Sequence, residues 1–112
     1  MTQYQPKQGD IIWLNLNPQT GVEQSGHRPV VVVSNEEFHA RIANLIMICP
    51  ITNRNRNFPT HIELDNRTQT TGVVKCEQAK ILDYKNRNAS FIEVMPIDIL
   101  EEVKDVVISF IE

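Results

Sequence analysis

The sequence predicts a mainly β fold with short helices: five or six short strands closed into a small barrel, with one helix packed at the end. Three observations predict it. Ile and Val together outnumber Leu by 24 to 6, and β-branched side chains, stiff at χ1, suit a pleated surface better than a helix. Polar segments carrying Gly, Pro or Asn separate the apolar runs at short intervals, as turns separate strands. Only the C-terminal stretch carries an apolar repeat at three- and four-residue spacing. Val, Ile, Leu and Phe make up 34 of the 112 residues, about 30% against the roughly 20% below which chains tend to stay disordered. With no internal repeat or linker, residues 1–112 read as one domain.

In Ile11-Ile12-Trp13-Leu14-Asn15-Leu16, the residues Ile12, Leu14 and Leu16 share one face of a strand and Trp13 takes the other. Asn17 to His27 holds Pro18, Gly21 and Gly26 without an apolar period, so it is a long loop, and long loops in small domains are often functional. Arg28 to Ser34 is a continuous apolar run, a strand buried on both faces with Pro29 confined to its start. Ser34 with Glu37 three residues on is a capping box, which predicts a short helix over Asn35 to Arg41. Leu45 to Thr52 is the third strand, Asn53 to Pro59 a polar cationic loop, and His61 to Asp65 an alternating strand. Gly72 to Leu82 forms a further strand region bent near Gln78. After a turn at Asn86 to Asn88, Ser90 to Met95 is the last strand. Pro96 and Asp98 suit a helix start, and Ile99, Leu100, Val103, Val106, Val107, Phe110 and Ile111 form its apolar stripe.

No apolar run approaches the ~20 residues that cross a bilayer, and Met1 to Asp10 lacks the pattern of a signal peptide, so the sequence predicts a soluble cytoplasmic protein without a membrane partner. Cys49 and Cys76 are too few for a disulfide scaffold and share no metal-ligand spacing with the three histidines; they read as buried thiols. The net charge of −3 argues against phosphate binding. Its distribution softens that objection, because residues 98–112 carry five acidic groups against Lys104, which leaves residues 1–97 at +1.

The chain has no Gly-rich phosphate loop, Gly-x-Ser-x-Gly elbow, His-Glu-x-x-His or Cys-x-x-Cys, which removes most enzyme classes. Two polar clusters at strand ends remain, Glu23, Gln24, His27 and Arg28 at the first and Thr52, Asn53, Arg54 and Arg56 at the second. Arg28 opens a hydrophobic strand, and a guanidinium is a fixed cation whose planar fork matches phosphate oxygens. A strand-end arginine can equally reach solvent or pair with Glu23. Thr52 suits either a turn cap or a hydrogen bond to substrate. Arg54 and Arg56 beside Phe58 combine two positive charges with a ring able to stack on a base. His27 is an acid–base candidate by its intrinsic pKa, whereas His39 and His61 read as structural.

Taken together, Gly9-Asp-Ile-Ile-Trp-Leu14, Pro18-x-x-Gly21-x-Glu23-Gln24-x-Gly26-His27-Arg28-Pro29-Val-Val-Val-Val-Ser34 and Pro50-Ile-Thr52 resemble the MazF/PemK family of toxin endoribonucleases, the mRNA interferases of type II toxin–antitoxin systems. The likeness continues through Thr71-Gly72-Val-Val-x-x-Glu77-Gln78, Leu82-Asp83 and the terminal helix. The resemblance implies an SH3-like barrel shared with the CcdB gyrase poisons, a homodimer, and metal-independent, cofactor-free cleavage of single-stranded RNA at short motifs. It further implies growth arrest through loss of mRNA and a MazE-type antitoxin as partner. Arg28 and Thr52 match positions regarded as catalytic, and Glu23 an acidic position implicated in activity. Gln24, His27, Asn53, Arg54, Arg56, Phe58 and Gln78 are the expected substrate contacts.

Such cleavage needs no metal in principle, because RNA carries its own nucleophile in the 2′-hydroxyl. Arg28 is suited to stabilising the phosphorane-like transition state, Thr52 to orienting an oxygen, and either Glu23 or His27 to moving the proton. Two other classes fit the same chain: a non-enzymatic gyrase poison of the CcdB type, ending here in Phe110-Ile111-Glu112, and a barrel that binds RNA without cutting it. The terminal helix and residues 45–49 are the expected dimer surfaces.

Overall fold

The computed structural model describes residues 4–18, 21, 25–54 and 57–112. Seven strands and two helices follow in the order β1 (Asp10–Asn15), β2 (His27–Val32), α1 (Glu36–Arg41), β3 (Leu45–Thr52), β4 (His61–Glu63), β5 (Val73–Lys75), β6 (Lys80–Asp83), β7 (Ser90–Val94) and α2 (Ile97–Ser109). A 3₁₀ turn, Cys76–Gln78, joins β5 to β6. It falls where the sequence predicts a bend, and it splits one expected strand region into two, which raises the count to seven.

All pairings are antiparallel, in the order β4-β5-β3-β2-β1-β7 with β6 also on β3. The strand β3 is shared along its length. Its residues Leu45 to Ile48 pair with β6, and its last two, Ile51 and Thr52, pair with β5. The sheet therefore curls sharply around β3, yet among the described residues no ladder joins β4 to β7, and the expected closed barrel is an open one. Short outer strands of three to five residues cannot reach round to close it.

The period-two alternation of the central strands sorts side chains into two cores. Ile12, Leu14, Leu16, Val30, Val32, Ile46 and Ile48 fill one with Leu82. Ile11, Val31, Cys49 and Ile51 fill the other, where Ile99, Leu100, Val103 and Val107 of α2 cover them. β2 is thus buried on both faces as its continuous apolar run predicts, and each such aliphatic side chain contributes roughly 1.5–3 kcal/mol on burial. The predicted stripe of α2 holds through Val107, but Phe110 and Ile111 lie in solvent beyond the helix. Both cysteines are buried in the α2-facing core; the adjacent Cys76 thiol and burial push the Cys49 thiol up, so it is packing rather than a nucleophile.

The capping box is corrected. Asn35, not Ser34, caps α1, its side chain accepting from Phe38 N at 2.9 Å. Ser34 Oγ instead accepts from Met47 N (2.9 Å) and pairs with His39 Nε2 (2.6 Å), a tertiary use that outcompetes the local one.

Candidate functional site

Sheet order brings one residue of each predicted cluster, Arg28 and Thr52, to neighbouring strand ends. The β2–β3 ladder pairs Val30 with Pro50, Val31 with Cys49 and Val32 with Ile48. Its last pair, Val30 with Pro50, lies two residues from Arg28 and two from Thr52, so both stand at the same end of neighbouring strands. By alternation, Arg28 shares the face of Val30, and Thr52 that of Ile48, so both side chains leave the sheet on one side, over the core that contains Leu14 and Val30. Arg28 Nε donates to Ser25 O at 2.7 Å, a bond that fixes the planar group by its inner nitrogen. Nη1 and Nη2 remain as the parallel donors of the fork. Thr52 is buried, and its Oγ1 accepts from Arg54 N at 3.3 Å, a turn cap that leaves the hydroxyl proton to donate elsewhere.

The strand following the second cluster holds Thr52 closely. Thr52 pairs with Val73, and Gly72, at φ +114°, lies against the Thr52 carbonyl. Thr71 Oγ1 donates to Asn53 Oδ1 at 2.9 Å, tying down the next residue. A carboxylate supports this turn from beneath: Glu93 accepts from Gln69 N (3.0 Å), Thr70 N (2.8 Å) and Thr70 Oγ1 (2.8 Å). Burial works against its ionisation, but the Thr70 and Gln69 amides outweigh that and hold the Glu93 carboxyl below the usual range.

The loop between β1 and β2 is clamped at its base. Leu16 N donates to Gly26 O (2.9 Å), and Gly26 N donates to Asn17 Oδ1 (3.1 Å). Arg87 Nη1 donates to both Asn15 O and Asn17 O at 3.0 Å, while its Nε donates to Asp83 O at 2.9 Å. Glu23 and Gln24, at the centre of this loop, and Arg56 in the second loop lie outside the described residues.

His27 is exposed and stacks on Trp13, with ring centroids 5.4 Å apart and planes within 7°. Asn53 and Arg54 are exposed beside Thr52. Phe58 belongs to a neighbouring group, and Gln78 closes the 3₁₀ turn that carries Glu77 of that group. The Phe58 ring lies 5.2 Å from His61, whose Nε2 meets Glu77 Oε2 at 3.0 Å, and Thr60 Oγ1 donates to Glu77 Oε1 at 2.8 Å. The His61 side chain is only 2% exposed, which bears out its structural reading, as the Ser34 contact does for His39. Sequence reasoning missed Gly72, Arg87, Glu93 and Glu77 as supports, since each acts through a partner at least sixteen residues away. Trp13 was signalled by strand alternation alone.

Among the described residues, no group of His, Cys, Asp and Glu is disposed to hold a metal ion, and no helix is long and apolar enough to cross a membrane.

Residues 7–111 match the family described as PemK-like, MazF-like toxin of type II toxin–antitoxin system. The endoribonuclease PemK of Escherichia coli is 36% identical over 101 residues, which covers 87% of this chain and 75% of that protein. The crystal structure of MazF from Deinococcus radiodurans superposes with a TM-score of 0.89 at 33% identity, covering 96% of this chain and 97% of the other. A MazE–MazF crystal structure from the same organism superposes at 0.81 with 29% identity, covering 96% of each chain. With the sheet, the terminal helix and nearly the whole length in common, this chain belongs to the PemK-like, MazF-like toxins of type II toxin–antitoxin systems.

Proposed function

We propose that residues 1–112 act as a single endoribonuclease domain, the toxin of a toxin–antitoxin pair, which cuts single-stranded mRNA at a short motif and arrests growth. What supports this reading is that Arg28 and Thr52 stand at the same end of neighbouring strands, a cationic fork held through its Nε and a buried hydroxyl.

The chemistry follows from RNA itself. The 2′-hydroxyl oxygen attacks the adjacent phosphorus as its proton passes to Glu23 or His27; the O2′–P bond forms, the P–O5′ bond breaks, and a proton is delivered to O5′. The products are a 2′,3′-cyclic phosphate and a 5′-hydroxyl. Arg28 binds the non-bridging oxygens and stabilises the charge that builds on them, and Thr52 orients a phosphate oxygen. Gln24, His27, Asn53, Arg54, Arg56, Phe58 and Gln78 contact the RNA on either side. No cofactor enters any step.

Such a toxin works in the cytoplasm, where mRNA is. Its antitoxin, of the MazE type, competes with RNA through an acidic segment that occupies Arg28, Arg54 and Arg56. The homodimer forms through an exposed apolar groove in which Met47 of β3 and Ile81 of β6 meet Val107, Ile108 and Ile111 of α2 and its tail.

The test is incubation of the purified protein and its Arg28→Ala variant with a long, structure-poor RNA in EDTA, with the ends mapped. Cuts at one motif ending in cyclic phosphate, absent from the variant, are expected. RNA that is retarded but intact would point instead to a binding module, and stabilised topoisomerase–DNA cleavage complexes to a gyrase poison.

A further inference from the structure

Trp13 is the only tryptophan of the chain and, although it sits in a central strand, it is 40% exposed. Its strand neighbours Ile12 and Leu14 are fully buried on the opposite face, so Trp13 is not needed to complete either core. It instead forms one wall of a surface cleft of about 390 Å³, with Pro29, Asn53, Thr70, Thr71 and Ile92 around it. That volume lies within the range of small-molecule sites, roughly 300–1,000 Å³. The wall is flat: His27 stacks on the indole with the planes within 7° and holds it in place, and Pro29 is the residue paired with Trp13 on β2. The facing side is polar. Asn53 Oδ1 accepts from Thr71, which leaves the Asn53 amide nitrogen to donate, and Glu93 fixes Thr70 in place.

A flat aromatic wall facing amide and hydroxyl groups is the chemistry that holds a nucleobase, whose face stacks while its edge hydrogen-bonds. The position suits it as well. His27 precedes Arg28 and Asn53 follows Thr52, so the cleft and the phosphate-binding pair lie on opposite faces of the same sheet end. The RNA would pass round this sheet end to meet both, with His27 and Asn53 each one residue from a member of the pair. We propose that Trp13, braced by its stack on His27, and Asn53 form a subsite for one unpaired base of the bound RNA, a site that sets part of the cleavage motif. This rests on the endoribonuclease reading above and adds to it Trp13, a residue with no part in the phosphate chemistry.

The test uses Trp13 as its own reporter. Single-stranded DNA oligonucleotides lack the 2′-hydroxyl and bind without being cut, so a stacked base quenches the sole indole during titration. The expected result is saturable quenching that one abasic replacement removes and others do not. In parallel, Trp13→Leu is expected to lower kcat/KM on cleavable RNA about tenfold, with Trp13→Phe recovering most of the loss. An RNA abasic at the same position should lose as much with wild-type protein and nothing further with Trp13→Leu. RNA cut normally by Trp13→Leu, with no quenching in the wild type, overturns the subsite while leaving the nuclease intact. Loss of antitoxin affinity alone in Trp13→Leu also overturns it and makes the cleft a protein-docking surface. Quenching by oligonucleotides without any RNA cleavage supports the base site and removes the nuclease reading instead.

Discussion

A Cβ at Gly72 would lie 2.2 Å from the carbonyl oxygen of Thr52 and 2.7 Å from its carbonyl carbon. No side chain fits there, and the φ of +114° is one that non-glycine residues rarely adopt. The hydroxyl of Thr52 is thus positioned by an absence of atoms on the neighbouring strand. Gly72→Ala is expected to push the end of β3 outwards, lowering stability by about 1–3 kcal/mol. Cleavage should fall by more than that stability loss explains, because Thr52 itself moves. Urea denaturation and single-turnover cleavage at a temperature where the variant is fully folded separate the two effects.

Arg28→Ala is expected to reduce kcat about 10²–10³-fold, the size of effect seen when one preorganised donor to a developing oxyanion is removed. Arg28→Lys should recover only a small part, since an ammonium keeps the charge but lacks both the Nε bond to Ser25 O and the planar fork. Stability should barely change in either variant. Equal activity of Arg28→Lys and wild type would mean that charge alone suffices.

Arg87→Ala should release the base of the β1–β2 loop, because three backbone carbonyls, those of Asn15, Asn17 and Asp83, lose their shared donor. A loss of about 1–3 kcal/mol is expected. Amide exchange at Leu16 and Gly26 should accelerate, and KM should rise as the loop that carries Glu23, Gln24 and His27 loses its fixed entry.

Glu93 and Glu77 give stability an acid limb. Each carboxyl has its folded pKa below its usual value. Burial opposes ionisation in both, and it is outweighed by the Thr70 and Gln69 amides at Glu93 and by the Thr60 hydroxyl and His61 at Glu77. A depressed folded pKa stabilises fully above the unfolded value of about 4.3 and loses that contribution as pH falls through the folded one. Wild-type stability should therefore decline with falling pH below about 4.5, and the decline should be shallower in Glu93→Gln. Denaturation midpoints between pH 3 and 6 measure it. Identical slopes would show that the Thr70 turn does not depend on the charge.

The third strand was readable residue for residue, from Leu45 to Thr52, because an unbroken apolar run ending in Pro-Ile-Thr suits only a buried strand. The break after Lys75 was readable as a bend but not as a separation into two strands. Cys76-Glu77-Gln78 contains no turn residue, and the turn arises because β3 offers its two halves to different partners. Ser34 and Asn35 are both competent caps, and a contact from Met47, thirteen residues away from Ser34, decided between them. For the site, residue types were visible in sequence and proximity was not. Arg28 and Thr52 stood out singly as polar groups on apolar strands, but their alignment depends on the β2–β3 register, and Gly72 shows its meaning only once β5 lies beside β3.

The α2-facing core has a consequence for synthesis. Ile11, Val31, Cys49 and Ile51 are in place early in the chain, but their cover is Ile99 to Val107, and β1 gains its second neighbour only with β7. A ribosome adding roughly 5–20 residues per second therefore exposes an unfinished sheet for several seconds before the helix emerges. During that interval one face of the central strands stands without its helical cover. A chain stopped short of Ile97 should be cleared by proteases rather than arrest the cell that made it.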